Sequence, residues 1–324
     1  MNKSNEEFKI LNYFQKRKLS IEELCEYYRA ERKFLLDKHD WNKEIKFHNC
    51  VHPIINILIK GRRIINKQTL TVYNSIPKNI KSPIIFSVTH TGKYDIEIVN
   101  EAIKLPYYLL SDDEEYMYRT VDGFVTDLNG VIYVDSDYGD DKKVAKETAI
   151  KCLQNGGNVM WFPEGIWNLS ANQLMLHCPY GIIEAAVLSN ATIIPIAIDQ
   201  QDKDFYVNIG EPISSSQFNI TDITNKNQKI DAINYLRDIM ATLKWQIWEL
   251  QPQENRDNIP DDFYDNFQKT KIDEWPFFTQ ETIQNRVYVP NNIISEEEAF
   301  EHLNHIEINT NNAFLLRKKY NSRK

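Results

Sequence analysis

No apolar run in this chain of 324 residues approaches the roughly 20 residues that cross a bilayer as a helix. Cysteine is scarce, with only Cys25, Cys50, Cys152 and Cys178, and none of them makes a CxxC or other metal-type spacing. Their neighbours are apolar, which predicts reduced core thiols and no metal site. Positive charge is also short: the formal net charge is -8. That speaks against a dedicated nucleic-acid binder, because phosphate neutralisation needs a basic face. Neither a GxSxG elbow nor a GxxxxGK[ST] loop occurs, which argues against the usual serine hydrolases and P-loop nucleotide hydrolases. The opening MNKSNEEFKI is too polar to act as a secretory signal.

What is present divides into three zones. Residues 1–81 carry a helical pattern, with Ser20 and Glu23 at capping-box spacing ahead of Leu24, Tyr27, Tyr28 and Phe34. Within this zone VHPIINILI (51–59) is followed by Lys60, Arg62 and Arg63. Two readings fit that run: a buried core helix with a solvated flank, or an apolar face resting on an anionic membrane. Residues 82–250 change texture. PIIFSV, GVIYVD, NVMWFP, TIIPIAI and DFYVNIG read as strands, with YDIEIVNEAI, DDKKVAKETAIKCLQ and YGIIEAAVLS between them as helices. Continuous apolar strands separated by helices predict an α/β fold with a mostly parallel central sheet covered on both faces. A helix over 228–250, with apolar residues from Ile230 to Ile247 at helical spacing, closes that region. Residues 251–324 form a polar extension with an aromatic cluster at Trp275, Phe277 and Phe278, and a second capping-box spacing at Ser295 and Glu298.

In sheets of this type, functional groups gather beyond the carboxyl ends of the strands. Two such ends stand out. In IIFSVTHTGKYD, His90 leaves a strand and Asp95 falls in the first turn of the next helix. A carboxylate on Nδ1–H fixes the imidazole tautomer and leaves Nε2 to take a proton from an acceptor hydroxyl or amine. Alone the spacing is unspecific, and a histidine bonded to a helix-capping aspartate is the plain alternative. In NVMWFPEGIWNLS a strand ends in Phe162-Pro163-Glu164-Gly165, with proline ending the ladder and glycine permitting a sharp turn. Glu164 then hangs at the mouth of the sheet, unless it caps a neighbouring helix. Adjacent His177 and Cys178 point apart on one backbone and make a poor nucleophile pair.

Taken in order, HTGKYD, GVIYVDS, FPEG and ATIIPIAI, with IGEP at 209–212, resemble the blocks of the glycerolipid (lysophospholipid) acyltransferase family over residues 82–212. That resemblance implies transfer of a fatty acyl group from acyl-CoA or acyl-carrier protein, with no covalent enzyme intermediate and no cofactor or metal. His90 would be the base and Asp95 its orienting carboxylate. Glu164, Gly165, Ser136 and Trp167 would belong to the acceptor site, and Gly130, Pro163 and Pro195 to the acyl-donor side or the wall. The chain departs from the family at two places: Ser136 stands where an arginine holds the acceptor phosphate, and Ile166-Trp167-Asn168 replaces Thr-Arg-Ser. Both departures remove groups suited to a phosphate. Lys93, Arg119, Lys142 or Lys143 would have to replace the charge.

The expected activity is therefore acyl transfer to a lysophospholipid-like acceptor. The alternatives are an acceptor without phosphate at its reacting end, such as a sugar or an amino-acid lipid, a thioesterase, or a non-catalytic lipid-binding protein. Trp167 would stack on a sugar, line an acyl groove or simply pack. The expected location is cytoplasmic and peripheral on the inner face of the membrane, with no nucleic-acid partner.

Overall fold

The computed structural model describes residues 8–81, 83–112, 120–170, 173–250, 260, 262–275, 283, 285–288 and 295–306. Arg119, Phe277 and Phe278 lie outside the described residues. Three helices open the chain: α1 (Tyr13–Lys16), α2 (Ile21–Leu35) and α3 (Trp41–Ile65). The Ser20–Glu23 box forms as the sequence predicts, with Ser20 Oγ accepting from Glu23 N–H and the Glu23 carboxylate accepting from Ser20 N–H. Eight strands and helices then alternate as β1 (Thr69–Tyr73), β2 (Ile84–Val88), α4 (Asp95–Ile103), β3 (Tyr108–Ser111), α5 (Val121–Asn129), β4 (Val131–Tyr133), α6 (Gly139–Gln154) and β5 (Val159–Trp161). After them come β6 (Trp167–Asn168), α7 (Gly181–Ser189), β7 (Thr192–Gln201), β8 (Asp204–Ile209) and α8 (Lys226–Glu249). The described parts of the C-terminal extension hold α9 (Phe263–Asp273), β9 (Val287–Tyr288) and α10 (Glu296–Ala299).

Seven strands form one sheet in the order β1-β8-β7-β2-β5-β3-β4, and only the β7–β8 pair is antiparallel. The architecture is the α/β fold with a mostly parallel sheet that the alternating texture implies. The apolar strands feed both faces because successive side chains point to opposite sides. Ile85, Val159, Ile193 and Ala197 pack under α6, α7 and α8, whereas Ile84, Phe86, Val88, Ile194, Ile196 and Ile198 pack against α2 and α4.

The N-terminal zone differs from its purely helical reading. Thr69–Tyr73 is a strand paired in register with β8, so the sheet starts inside that zone. The run 51–59 also differs from the buried-helix reading. It lies in the middle of α3, where Ile55 is buried but Ile57 is 72% exposed, Ile65 80%, and Ile54, Leu58 and Ile64 are exposed as well. The buried side of α3 is polar instead. His48 Nδ1 bonds the carbonyl of Leu128 at 2.8 Å and His52 Nδ1 bonds Asn129 Oδ1 at 2.8 Å, pinning α3 to α5. The basic edge is partly spent internally: Arg62 pairs with Glu97 and Asp122, and Arg63 with Glu101. No helix among the described residues is long and apolar enough to cross a membrane. Of the cysteines only Cys152 is fully buried. Cys50 is exposed on α3, so the core-thiol expectation fails there, and all four are free.

Candidate active site

His90 emerges two residues past β2, a central strand, and the chain then turns through Thr91-Gly92 into α4. Asp95 heads that helix and folds back over the turn, 2% exposed. Its Oδ2 accepts the backbone N–H groups of Thr91 at 2.5 Å and Gly92 at 2.9 Å, and meets His90 Nδ1 at 2.8 Å. Oδ1 accepts the Thr91 hydroxyl at 3.1 Å. A carboxylate oxygen that already takes two amide protons is an acceptor, so Nδ1 carries the imidazole proton and Nε2 is left as the basic nitrogen. The five-residue spacing is thus a local device. The turn ahead of α4 supplies amides to the acid at the helix start, and the acid orients the ring.

The ring is held from its other sides too. It stacks on Phe162 with centroids 4.2 Å apart, and Trp167 meets it edge-on at 5.8 Å. Behind it, Thr89 N–H donates to the Ile196 carbonyl at 3.1 Å and the Thr89 hydroxyl accepts from Ile198 N–H at 3.0 Å, fixing the strand end against β7.

Glu164 follows β5, the strand next to β2, and is 6% exposed. One carboxylate oxygen accepts His90 N–H at 2.9 Å and the other accepts Leu176 N–H at 2.9 Å. Burial pushes its carboxyl up from the ordinary glutamate value, against the pull of Lys244 and these two amides. Each oxygen thus takes one backbone amide, and through the first of them Glu164 holds the backbone of His90. Arg237, 1% exposed, extends the support by donating to the carbonyls of Met175 at 3.0 Å and Leu176 at 3.2 Å. Replacing Glu164 with glutamine leaves one acceptor oxygen for two amides and turns an NH2 toward the other. We expect a loss of about 1–3 kcal/mol in thermal or urea unfolding. A roughly tenfold fall in activity should accompany it, as the His90 backbone loosens.

The remaining sequence-predicted residues divide. Trp167 is brought to His90, where it is buried, meets Trp275 edge-on at 6.2 Å and packs with Leu169 and Val287. Pro163 is buried in the turn after β5, and Gly165 is exposed with φ +73, the backbone that the sharp turn needs. Pro195 is buried in β7 in register with Ser87, three residues before His90.

Gly130 is not part of this group. It precedes β4 at the amino end of the sheet, with φ +108 and the Tyr108 ring 3.0 Å from where a Cβ would stand. A strained entry and a close aromatic explain the glycine without any donor or wall role. Ser136 is exposed on a turn after the edge strand β4, with β5 and β3 lying between that strand and β2. The cations near that turn come from α2: Arg29 pairs with Asp135, and Arg32 grips Asp141 at 2.5 and 3.0 Å. Lys142 and Lys143 are solvated on α6, Lys143 paired with Asp140, and neither approaches His90. Lys93 lies over Tyr94 and Trp275, beside the histidine turn. Cys178 bonds the Leu176 carbonyl and burial pushes its thiol well up, so it is no nucleophile.

No curated protein matches this chain significantly. Among solved structures it is similar to the 1-acyl-sn-glycerophosphate (LPA) acyltransferase PlsC of Thermotoga maritima. Identity is 15%, the match covers 75% of this chain and 89% of that one, and the TM-score is 0.46. Residues 64–199, from the end of α3 through most of β7 and enclosing His90, Asp95 and Glu164, match the family model described as Acyltransferase. The similarity to that family thus lies in residues 64–199, the part of the chain that holds the histidine turn and the Glu164 turn.

Proposed function

We propose that the protein moves a fatty acyl group from an acyl-CoA or acyl-carrier-protein thioester to a hydroxyl or amine of a lysophospholipid-like acceptor, with His90 as general base and Asp95 as its orienting carboxylate. The observation that carries this reading is the 2.8 Å contact between His90 Nδ1 and an Asp95 oxygen already saturated by two amides. Nε2 takes the acceptor proton as the acceptor oxygen or nitrogen adds to the thioester carbonyl. The Asp95 charge stabilises the imidazolium that results. Collapse of the tetrahedral adduct breaks the carbon–sulfur bond, and the imidazolium proton passes to the departing thiolate. No enzyme acyl group is required. The test is purified protein with labelled long-chain acyl-CoA and acyl-carrier protein, in the presence of lysophosphatidate or other lysophospholipids. Labelled diacyl product supports the reading, and free fatty acid as the dominant product would make it a thioesterase.

A second acceptor reading has its own support. Ser136 stands in place of a phosphate-binding arginine, and Arg29 and Arg32 near it are committed to Asp135 and Asp141. An acceptor without phosphate at the reacting end, such as a glycan or amino-acid lipid, needs no cation there. Strong preference for lysophosphatidate over a hydroxyl lipid of equal chain length would defeat it.

The exposed face of α3 supports peripheral docking on a membrane, where a lysophospholipid-like acceptor resides. Ile54, Ile57, Leu58 and Ile65 form an outward apolar surface beside exposed Lys60. Arg62 and Arg63 are spent on α4 and α5 carboxylates, so attachment is mainly apolar. Changing Ile57 and Leu58 to glutamate should weaken vesicle binding about a hundredfold, on about 1.5 kcal/mol per side chain. The double variant should keep its thermal stability. Unchanged flotation with neutral and anionic vesicles would remove this face from the membrane contact.

A further inference from the structure

The C-terminal extension lies along the carboxyl edge of the sheet, over the strand ends that carry the candidate site. β9 pairs with β6 in parallel register, next to Trp167. Gln268 donates to the Leu169 carbonyl at 3.2 Å, and Trp275 packs on Trp167. Arg286 bonds the Asp112 carbonyl at 2.9 Å, at the end of β3. At the β7 end, Lys271 of α9 donates to Gln200 Oε1. The extension is therefore stapled to β6, β3 and β7, and one residue from it reaches the turn that holds Asp95.

That residue is Lys271, 4% exposed. It lies so close to Gly92 that a Cβ there would stand 3.6 Å from its Cδ and 3.8 Å from its Nζ. A buried ammonium costs several kcal/mol in desolvation unless its surroundings return it. Among the described residues it pairs with Glu274 at 3.9 Å, a carboxylate 22% exposed. Asp95 and Asp199 are the other acids acting on it, and Lys244 the nearby like charge, so the lysine stands among acids that include the one orienting His90. Stability alone gives little reason to bury a cation here. Support of the Asp95 turn does.

We propose that Lys271 is a positioning residue of the site: packed on Gly92 among Asp95, Asp199 and Glu274, it holds the Thr91-Gly92 turn and balances the buried carboxylates. In this role it makes the C-terminal extension a working part of the acyltransferase site. The proposal rests on the reading of His90 and Asp95 as the catalytic pair. It acts through backbone placement: Thr91 and Gly92 supply the two amides that keep Asp95 on Nδ1, and Lys271 is the side chain that covers Gly92. It predicts a loss of kcat in protein that is still fully folded at the assay temperature, which a merely structural lysine does not.

The test compares full-length wild type with Lys271→Met, Lys271→Arg and His90→Ala. Methionine fills the same volume without charge. Gln200 Nε2 keeps its bonds to the Asp202 carbonyl (2.8 Å) and Glu274 (3.2 Å), and only Gln200 Oε1 loses its lysine donor. Lys271→Met should lower the melting temperature modestly, as carboxylates lose a balancing charge, with kcat of the folded protein at a permissive temperature down about 10- to 100-fold and the KM for acyl-CoA and for the lipid acceptor nearly unchanged. Lys271→Arg should recover most of kcat. The proposal is overturned if Lys271→Met has wild-type kcat while His90→Ala is inactive. It is equally overturned if kcat falls only in step with melting temperature and arginine does not restore it. Full activity in His90→Ala would instead sink the catalytic reading beneath it.

Discussion

Replacing His90 with alanine should lower kcat about 10³- to 10⁴-fold, at the upper end of what general-base catalysis contributes. The protein should remain folded. The ring is partly exposed, its stacking partner Phe162 and neighbour Trp167 are anchored elsewhere, and the backbone N–H that Glu164 holds survives the substitution. The donor KM should change little, because the base acts on the acceptor's proton as the bond forms. Steady-state thiol release with long-chain acyl-CoA and a lysophospholipid measures the effect, beside a thermal melt of the same preparation. A kcat within a few-fold of wild type would contradict the assignment.

Asp95→Asn should cost about 10³-fold in kcat with far less damage to structure than its burial suggests. A single asparagine oxygen in the place of Oδ2 can still accept from Thr91 N–H, Gly92 N–H and His90 Nδ1–H. The new NH2 then faces the Thr91 hydroxyl, which can rotate to accept it. Geometry is nearly preserved and the charge is gone, so the variant isolates what the carboxylate does for the imidazolium formed when Nε2 takes a proton. The expected pairing is a large loss of kcat and a melting temperature close to wild type. A small kinetic loss would mean that the acid only shapes the turn.

The parts of this molecule legible in the sequence are those whose physics is local. The strands at 84–88, 159–161 and 192–201 stand out because they are buried on both faces and so read as unbroken apolar runs. Thr69–Tyr73 does not. It sits at the sheet edge with no residue fully buried, directly after a long helix, and its sequence resembles a linker. The His90–Asp95 pair is legible because a five-residue turn closes it, and its amides come from the same turn. Gly130 was placed in the site by its neighbourhood in a recognisable block, but the parallel register puts that block's first residue at the far end of the strand.

Glu164 is visible as a carboxylate at a strand end, yet its two amide partners belong to other segments, so its clamp role is invisible without the fold. Lys271 is harder still. It lies in a polar extension among other lysines, and only the docking of α9 on the strand ends distinguishes it. The exposed face of α3 shows the opposite problem. Apolar residues at helical spacing signal a covered face, and sequence pattern does not say whether protein or membrane covers it.

The most direct test of the central claim is the stoichiometry of thiol release against acylated lipid, using labelled long-chain acyl-CoA with and without lysophospholipid vesicles. Direct transfer through His90 predicts thiol release that depends on the lipid, one labelled diacyl lipid for each thiol, and no label left on the protein. Equal release with and without lipid, label accumulating as free fatty acid, or stable acylation of the chain would each contradict it.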